Sequence, residues 1–413
     1  MIQPEDDRGS TRLPDTRANL PPASAYESLT SVTGLQDTVT SEEYLRRKLI
    51  VLQTSTVLTC IQCGRCTGSC PESGKTPFNV RMIVRKMQFQ SSIREDIPWY
   101  CTSCGACTLR CPRDVKPSEA VIEVRSAFVE EGRIPTALQK ALENTDVQRN
   151  PWGKSRNKRG EWMEKVDFEL PHISETKEKR LLYSCCIQAY DPRCMVIPAN
   201  VAKLFHAAGI ELGILGKEEA CCGNEIRRIG ETGLFEMLQE ENREMFKEYE
   251  VREIITLSPH CMNTLKKEYE GMDIKVFHYT EVLAGLIADG RLSFKGNFPK
   301  KVIYHDPCFL GKQNKIFEEP RALLRAVPGL EVLEFTRSRE TSLCCEGGGG
   351  RMFVEVETPG ERNADVRVQE ANDKGADVIA TACPFCIMTL EDPAKEKGQT
   401  VMELSEILVE VLT

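Results

Sequence analysis

The sequence predicts an α+β and α/β chain: a helical, cysteine-rich N-terminal domain followed by two repeated α/β units with pseudo-twofold symmetry. Three observations carry this. Eight of the 19 cysteines fall in two quartets between residues 60 and 111, with a helical pattern between them. From residue 180 the chain repeats itself: Cys221-Cys222 returns as Cys344-Cys345, and EIITLSPHCMNTL (253–265) returns as DVIATACPFCIMTL (377–390). In both copies β-rich apolar runs alternate with helical stretches, the pattern of small, mainly parallel sheets.

Residues 1–40 are polar and Pro-rich, lack the apolar run of an export signal, and read as a disordered tail. A helix is expected from Ser41, an N-cap followed by Glu42 and Glu43, opening a helical domain over 41–145. Between the quartets Val80, Ile83, Val84 and Met87 recur at helical spacing. Ser118 is expected to cap a helix carrying Val121, Val124 and Phe128. Residues 146–179, with NPWGKSRNKRGEW, read first as a solvated linker. The alternative is a strap on which Trp152 and Trp162 anchor one domain to the other. The two α/β units then occupy 180–295 and 296–413, with strands expected at RLLYS (180–184) and KVIYH (301–305) and helices at 198–208 and 361–374.

The net charge of −8 over 413 residues offers no nucleic-acid surface. No window approaches the ~18 apolar residues that span a bilayer. Clustered cysteine in a long chain points to metal or redox chemistry and not to a disulfide framework. The expected location is the cytoplasm, peripheral at the inner face of the cell membrane where a partner subunit supplies the link.

The quartets are Cys60, Cys63, Cys66, Cys70-Pro71 and Cys101, Cys104, Cys107, Cys111-Pro112. Two x2 gaps wrap a tight loop around three corners of a cubane, and in two-cluster ferredoxin motifs the fourth Cys serves the other cluster. This assigns Cys60, Cys63, Cys66 and Cys111 to one [4Fe–4S] cluster and Cys101, Cys104, Cys107 and Cys70 to a second. Four-cysteine zinc sites do not need the third Cys at x2 or the remote fourth followed by Pro. The helix between the quartets implies a helical ferredoxin.

The C-terminal copy offers Cys308, Cys344, Cys345, Cys383 and Cys386. Five thiolates exceed the needs of one cubane, and adjacent cysteines do not easily reach separate corners, so the set points to a non-cubane cluster. Gly347 to Gly350 follow directly and let backbone approach closely. The middle copy has Cys185, Cys186, Cys221, Cys222 and Cys261, but Ser258 stands where the later copy has Cys383. Its candidate ligands, Cys186, Cys221, Cys222 and Cys261, suit zinc, a smaller iron–sulfur cluster or no metal, with Cys185 and Cys194 available to complete the set. A repeat of this kind would face its two cysteine sites onto a shared cleft.

CIQCGRCTGSCP, CTSCGACTLRCP, NPWG, YHDPC, CCEGGGG and CPFC together resemble the CCG-domain proteins, and with the N-terminal ferredoxin they resemble the D-type subunit of heterodisulfide reductase over residues 50–410. The resemblance implies reduction of the mixed disulfide of coenzymes M and B, with electrons from a membrane cytochrome b-type partner. It also implies an unusual [4Fe–4S] active-site cluster on Cys308, Cys344, Cys345, Cys383 and Cys386. Two departures stand out: CCG is CCE at Cys344-Cys345-Glu346, and Ser258 breaks the middle motif. The iron–sulfur subunits of anaerobic glycerol-3-phosphate dehydrogenase, of glycolate oxidase and of the sulfite-reduction membrane complex share such degeneracy.

The function expected first is disulfide reduction in two one-electron steps, with protons supplied to the departing thiols. His305 and Asp306, just before Cys308, are the candidate acids, and His260 beside Cys261 is a third. His172, His206 and His278 have no motif support. The alternative is an electron-transfer subunit between a flavoprotein partner and a membrane quinone or cytochrome b system, without disulfide turnover.

Overall fold

The computed structural model describes residues 56–412, all within one compact unit. The tail expected over 1–40 and the helix expected from Ser41 lie outside the described residues. Each cysteine quartet is a loop closed by a short helical turn, Arg65–Ser69 in the first and Ala106–Leu109 in the second. The helix between them, Val80–Gln88, starts where the Asn79 side chain accepts from the Met82 N–H, and it buries Val80, Ile83 and Val84. The next helix, Pro117–Glu130, starts on a proline at its first position, where a missing N–H costs nothing. Ser118 is therefore not its cap. Its hydroxyl instead bonds Thr108 at 2.9 Å, tying the helix to the second quartet. Val121, Val124 and Phe128 are buried as their spacing requires.

Two small parallel sheets follow. β1 (Arg180–Tyr183), β2 (Glu253–Thr256) and β3 (Lys275–His278) lie in the order β1-β2-β3, with Leu182 beside Ile255 and Ile255 beside Phe277. β4 (Lys301–Tyr304), β5 (Glu331–Glu334), β6 (Val378–Thr381) and β7 (Thr400–Glu403) form the order β5-β4-β6-β7. β1, β2 and β3 thus match β4, β6 and β7, and β5 is an added edge. β6, VIAT, is buried throughout, as a parallel strand covered on both faces must be. One continuous apolar core holds Leu182, Ile255, Ile303, Ile379 and Val401, so the repeats pack as one body. The pseudo-twofold relation is visible where His260 and Phe385, equivalent residues of SPHC and CPFC, stack at 4.2 Å with 7° between their planes.

The connector before β1 is a strap and not a solvated linker. Trp152 meets Phe353 edge-on at 5.1 Å and Phe385 at 6.4 Å. Trp162 is buried, and buried Arg159 pairs with buried Glu219. Turn formers and basic residues suggested solvent, but two indole rings and a paired guanidinium gain more from burial than from exposure. Among the described residues no helix is long and apolar enough to cross a membrane.

Arg125, on the Pro117–Glu130 helix, is fully buried. Its guanidinium donates to the carbonyls of Pro98 (2.7 Å), Cys101 (2.6 Å), Arg228 (2.7 Å) and Gly349 (3.1 Å). One side chain thereby joins the second quartet to both repeats. Replacing it by Met should leave those carbonyls unpaired and cost about 3 kcal/mol or more; a loss under about 1 kcal/mol in denaturant unfolding would show that water or neighbours replace it. Glu403 gives a pH prediction. Burial raises its carboxyl from 4.5 to about 7, against hydrogen bonds from Ser405 and Tyr279 that lower it. The folded state therefore holds this proton more tightly than the unfolded state. Its contribution is fully present below about pH 4.5 and is lost as pH rises through about 7. Thermal unfolding across that window should show a shallower decline for Glu403→Gln than for the parent chain.

Candidate metal centres

None of the 19 cysteines forms a disulfide. Cys60, Cys63, Cys66 and Cys111 line one cavity together with Pro112 and Arg81. Cys63 is exposed, so this set lies at the surface. Cys107 lies in the field of Cys101, Cys104 and Cys70. Burial, then the charges of Cys104 and Cys101, push the Cys70 thiol up to about 12. Each quartet thus sends its fourth Cys to the other. Thiols this crowded and dry are unfavourable as free thiolates, and bound iron relieves that cost.

The C-terminal thiols form a connected chain. Cys308 meets Cys344, Cys344 meets Cys345, Cys345 lies 3.3 Å from Cys386, and Cys386 meets Cys383. Hydrogen bonds from Cys344 and Cys386 hold Cys345 well below the ordinary thiol range. Burial raises Cys383, but bonds from Cys386 and His260 outweigh it and bring the thiol down to about 5. Thiolates are the species that ligate metal, so this buried set of sulfur donors fits an iron–sulfur cluster. The middle copy brings together Cys185, Cys186, Cys221, Cys222 and Cys261, with Cys222 and Cys261 3.4 Å apart. Cys194 is buried near Cys185 and Cys383 and bonds neither.

One backbone device recurs at four of these sites. The residue two places after a Cys takes a left-handed conformation and turns its N–H to that sulfur at 3.4 Å. It does so for Gln62 to Cys60, Ser103 to Cys101, Gly223 to Cys221 and Glu346 to Cys344. Their φ values are 57°, 53°, 80° and 77°. Three of the four are not glycine, so the strain is accepted where it orients a donor. Glu346 occupies the turn that Gly223 takes in the other copy. Its carboxylate binds Lys75 and accepts from the Asn363 N–H at 2.9 Å, which offsets the conformational cost. CCE therefore keeps the turn of CCG and also ties the C-terminal unit to the N-terminal domain.

The Gly run serves a role that its composition only half indicates. A Cβ at Gly349 would lie 2.5 Å from the Cys101 carbonyl oxygen, and one at Gly348 would lie 2.8 Å from that of Thr102. The approach that these glycines permit is that of the second quartet's backbone. In consequence Cys104 of that quartet meets Cys344, and Cys344 lies 3.5 Å from Thr102. No spacing in the sequence announces this contact between segments far apart in the chain; it needs the Gly run and Arg125 to act together.

Burial, then the positive charge of Arg367, push the His305 imidazole well below its ordinary range. It lies beside Cys345 and Cys386, their ligand atoms within 4.8 Å of one another. Asp306 is locked by Arg321 at 2.7 and 2.9 Å and by the Arg339 N–H at 2.7 Å. The third candidate, His260, is buried as well. It sits 3.1 Å from Glu225, hydrogen-bonds Cys383, and is stacked between Phe309 and Phe385. Burial lowers its pKa, but Cys383 and Glu225 raise it to about 10. The shared cleft that the repeat predicts is packed shut by these rings. The sequence signal for His260 is a polar residue at the position of Phe385.

Comparison with known proteins agrees with this architecture. Residues 56–115 match the 4Fe-4S dicluster domain, and residues 181–266 and 302–391 match the cysteine-rich CCG domain. The chain is a CCG-domain iron–sulfur protein with an N-terminal 4Fe-4S dicluster domain, homologous to the D-type subunit of heterodisulfide reductase. It is 31% identical to the probable iron-sulfur-binding oxidoreductase FadF of Bacillus subtilis, over 87% of this chain and 60% of that protein. It is 33% identical to the EtfAB:quinone oxidoreductase of Syntrophomonas wolfei, over 75% of this chain and 46% of that protein. With the D-type subunit of the dihydromethanophenazine:CoB–CoM heterodisulfide reductase of Methanosarcina barkeri it shares 26% over 89% of this chain and 96% of that relative. It thus spans about half the length of the first two and nearly all of the third.

Gly349→Ala tests the close approach. Its φ of 69° and the 2.5 Å contact should together cost about 2–4 kcal/mol in denaturant unfolding. Gly347→Ala, whose nearest contact would be 3.1 Å, should cost less. Equal losses would count against the packing of the second quartet on this loop.

Proposed function

We propose that this chain is the electron-relaying iron–sulfur subunit of an oxidoreductase, moving single electrons between its surface quartet and its C-terminal cysteine set. The observation that carries this reading is the Cys104–Cys344 contact, which joins the second quartet to the C-terminal set without intervening protein. When bound, [4Fe–4S] clusters supply one-electron oxidation and reduction. Cys60, Cys63, Cys66 and Cys111 would hold the first cluster, Cys70, Cys101, Cys104 and Cys107 the second, and Cys308, Cys344, Cys345, Cys383 and Cys386 the third. The chain's own residues order the route. Exposed Cys63 marks the end open to a partner, and the buried C-terminal thiols keep water from the other end. The N–H groups of Gln62, Ser103 and Glu346 each stabilise negative charge on a ligand sulfur. The relative named for EtfAB and quinone supports a flavoprotein-to-quinone route, with this chain at the cytoplasmic membrane surface through a partner.

A second reading has its own support. A cavity of about 230 Å³ reaches Cys344 and Cys104 and is lined by Arg110, Lys312 and Arg337. These cations would receive an anionic thiol or disulfide, and His260 holds a proton at Cys383, at the far end of the sulfur chain that begins beside Cys344. The homology to the heterodisulfide reductase D-type chain points the same way.

Electron paramagnetic resonance of anaerobically purified protein, reduced stepwise with dithionite and then given thiols or a disulfide, separates the two. The relay predicts a spectrum that thiols do not change. Disulfide reduction predicts a thiol-induced signal lost in Cys345→Ser. Protein with no more than about eight iron atoms per chain, the content of two cubanes, would leave the C-terminal set empty and end both readings.

A further inference from the structure

Ser258 makes the middle copy look one ligand short. It is fully buried and its hydroxyl has no hydrogen-bond partner, so it neither replaces the thiol of Cys383 nor finds another role. The thiols around it nevertheless form a five-membered chain. Cys186 meets Cys221, Cys221 meets Cys222, Cys222 meets Cys261, and Cys261 meets Cys185. In the C-terminal copy the order is Cys308, Cys344, Cys345, Cys386, Cys383. The two chains match sulfur for sulfur, and Cys185 stands in the place of Cys383.

The backbone explains how this substitution works. Cys383 ends its strand's connection, caps the helix Pro384–Glu396 and lies three residues before Cys386. Ser258 has that same place before the helix Pro259–Lys267 and Cys261. Cys185 comes instead from the carboxyl end of the neighbouring strand β1, as N-cap of the helical turn Cys186–Tyr190. β1 lies directly beside β2, so a ligand lost from the end of one strand is supplied from the end of the next. Both sets lie at the carboxyl edge of a parallel sheet, where such folds bind their ligands.

Two further observations point to a ligand. The N–H-to-sulfur turn found at both quartets and at Cys344 is present here at Cys221. The buried guanidinium of Arg159 lies 3.5 Å from the Cys186 sulfur, a cation beside a site that would carry several thiolates. The spread of the thiols decides which metal. Tetrahedral zinc, with bonds of about 2.3 Å, draws its sulfurs to within about 4 Å of one another. Among the described residues the set of three ligand atoms within 4.8 Å of one another is His305, Cys345 and Cys386, and none of the middle five belongs to it. In the order of their contacts the middle five match the C-terminal five.

We infer that Cys185, Cys186, Cys221, Cys222 and Cys261 bind a further iron–sulfur cluster of the same kind as the C-terminal set, with Cys185 supplying the thiolate that Ser258 does not. This rests on the reading that the C-terminal five hold a cluster. The middle repeat is then a second redox site near the first, with Cys194 in the field of both Cys185 and Cys383.

Iron, zinc and acid-labile sulfide should be measured by elemental analysis and native mass spectrometry on the whole chain purified without oxygen. The parent should carry about sixteen iron atoms, about four per set, and no stoichiometric zinc. Cys185→Ser should lose about four iron and four sulfide. Cys185→Ser with Ser258→Cys should regain them, because the thiol returns at the position of Cys383. Cys194→Ser should lose none. Cys345→Ser should lose the C-terminal iron alone, so failure of the C-terminal reading shows in that variant and failure of this one shows in Cys185→Ser. Unchanged iron in Cys185→Ser, zinc in place of iron in the parent, or no recovery in a double variant with native circular dichroism would each overturn the inference.

Discussion

The molecule depends on one buried cation. Arg125 is removed from water, and its hydrogen bonds go to main-chain carbonyls from the second cysteine quartet, the middle repeat and the Gly run of the C-terminal repeat. A guanidinium suits this joint because its planar fork presents five donors in fixed directions. Burial works against the charge, and Cys101 and then Glu225, both in its field, favour it. Fold and cofactor are coupled at this point: the residue that closes the interface is also electrostatically matched to the quartet it touches.

The strained turns follow from the same need. A sulfur that carries charge in a dry site must be given N–H donors, and the backbone supplies one by turning left-handed two residues on. Glycine makes that turn freely, yet it is used at only one of the four. Gln62, Ser103 and Glu346 are held by their surroundings, most visibly Glu346 by Lys75 and the Asn363 N–H. The departure from CCG, a weakness when the motif is read alone, is thus a contact between domains.

Packing also redistributes chemistry between the repeats. His260 belongs to the middle copy but lies against Cys383 of the other, beside Glu225 and stacked between two phenyl rings. Cys104 belongs to the N-terminal domain but touches Cys344. Cys185 belongs to one strand end but completes the sulfur chain of the next. Sites assembled across element boundaries in this way hold their groups by rigid packing and not by loop sequence, which suits a protein that must keep redox centres at fixed separations.

Local spacing made much of this legible. Cysteines two residues apart followed by a distant Cys-Pro state cluster chemistry whatever surrounds them, and the alternation of β-rich runs with 3.6-period helices states parallel α/β units. The repeat could be aligned residue by residue, which exposed Ser258 as the odd position and Cys185 as available. Tertiary structure alone decided the contacts between segments far apart in the chain: the strap role of Trp152 and Trp162, the place of His305 beside Cys345 and Cys386, the stacking of His260 between Phe309 and Phe385, and the meeting of Cys104 with Cys344. The physical reason is that spacing encodes what one turn or one strand can reach. Burial, charge and close backbone approach depend on which surfaces meet, and here that was set by two glycines, Gly348 and Gly349, and one arginine whose purpose no local pattern reveals.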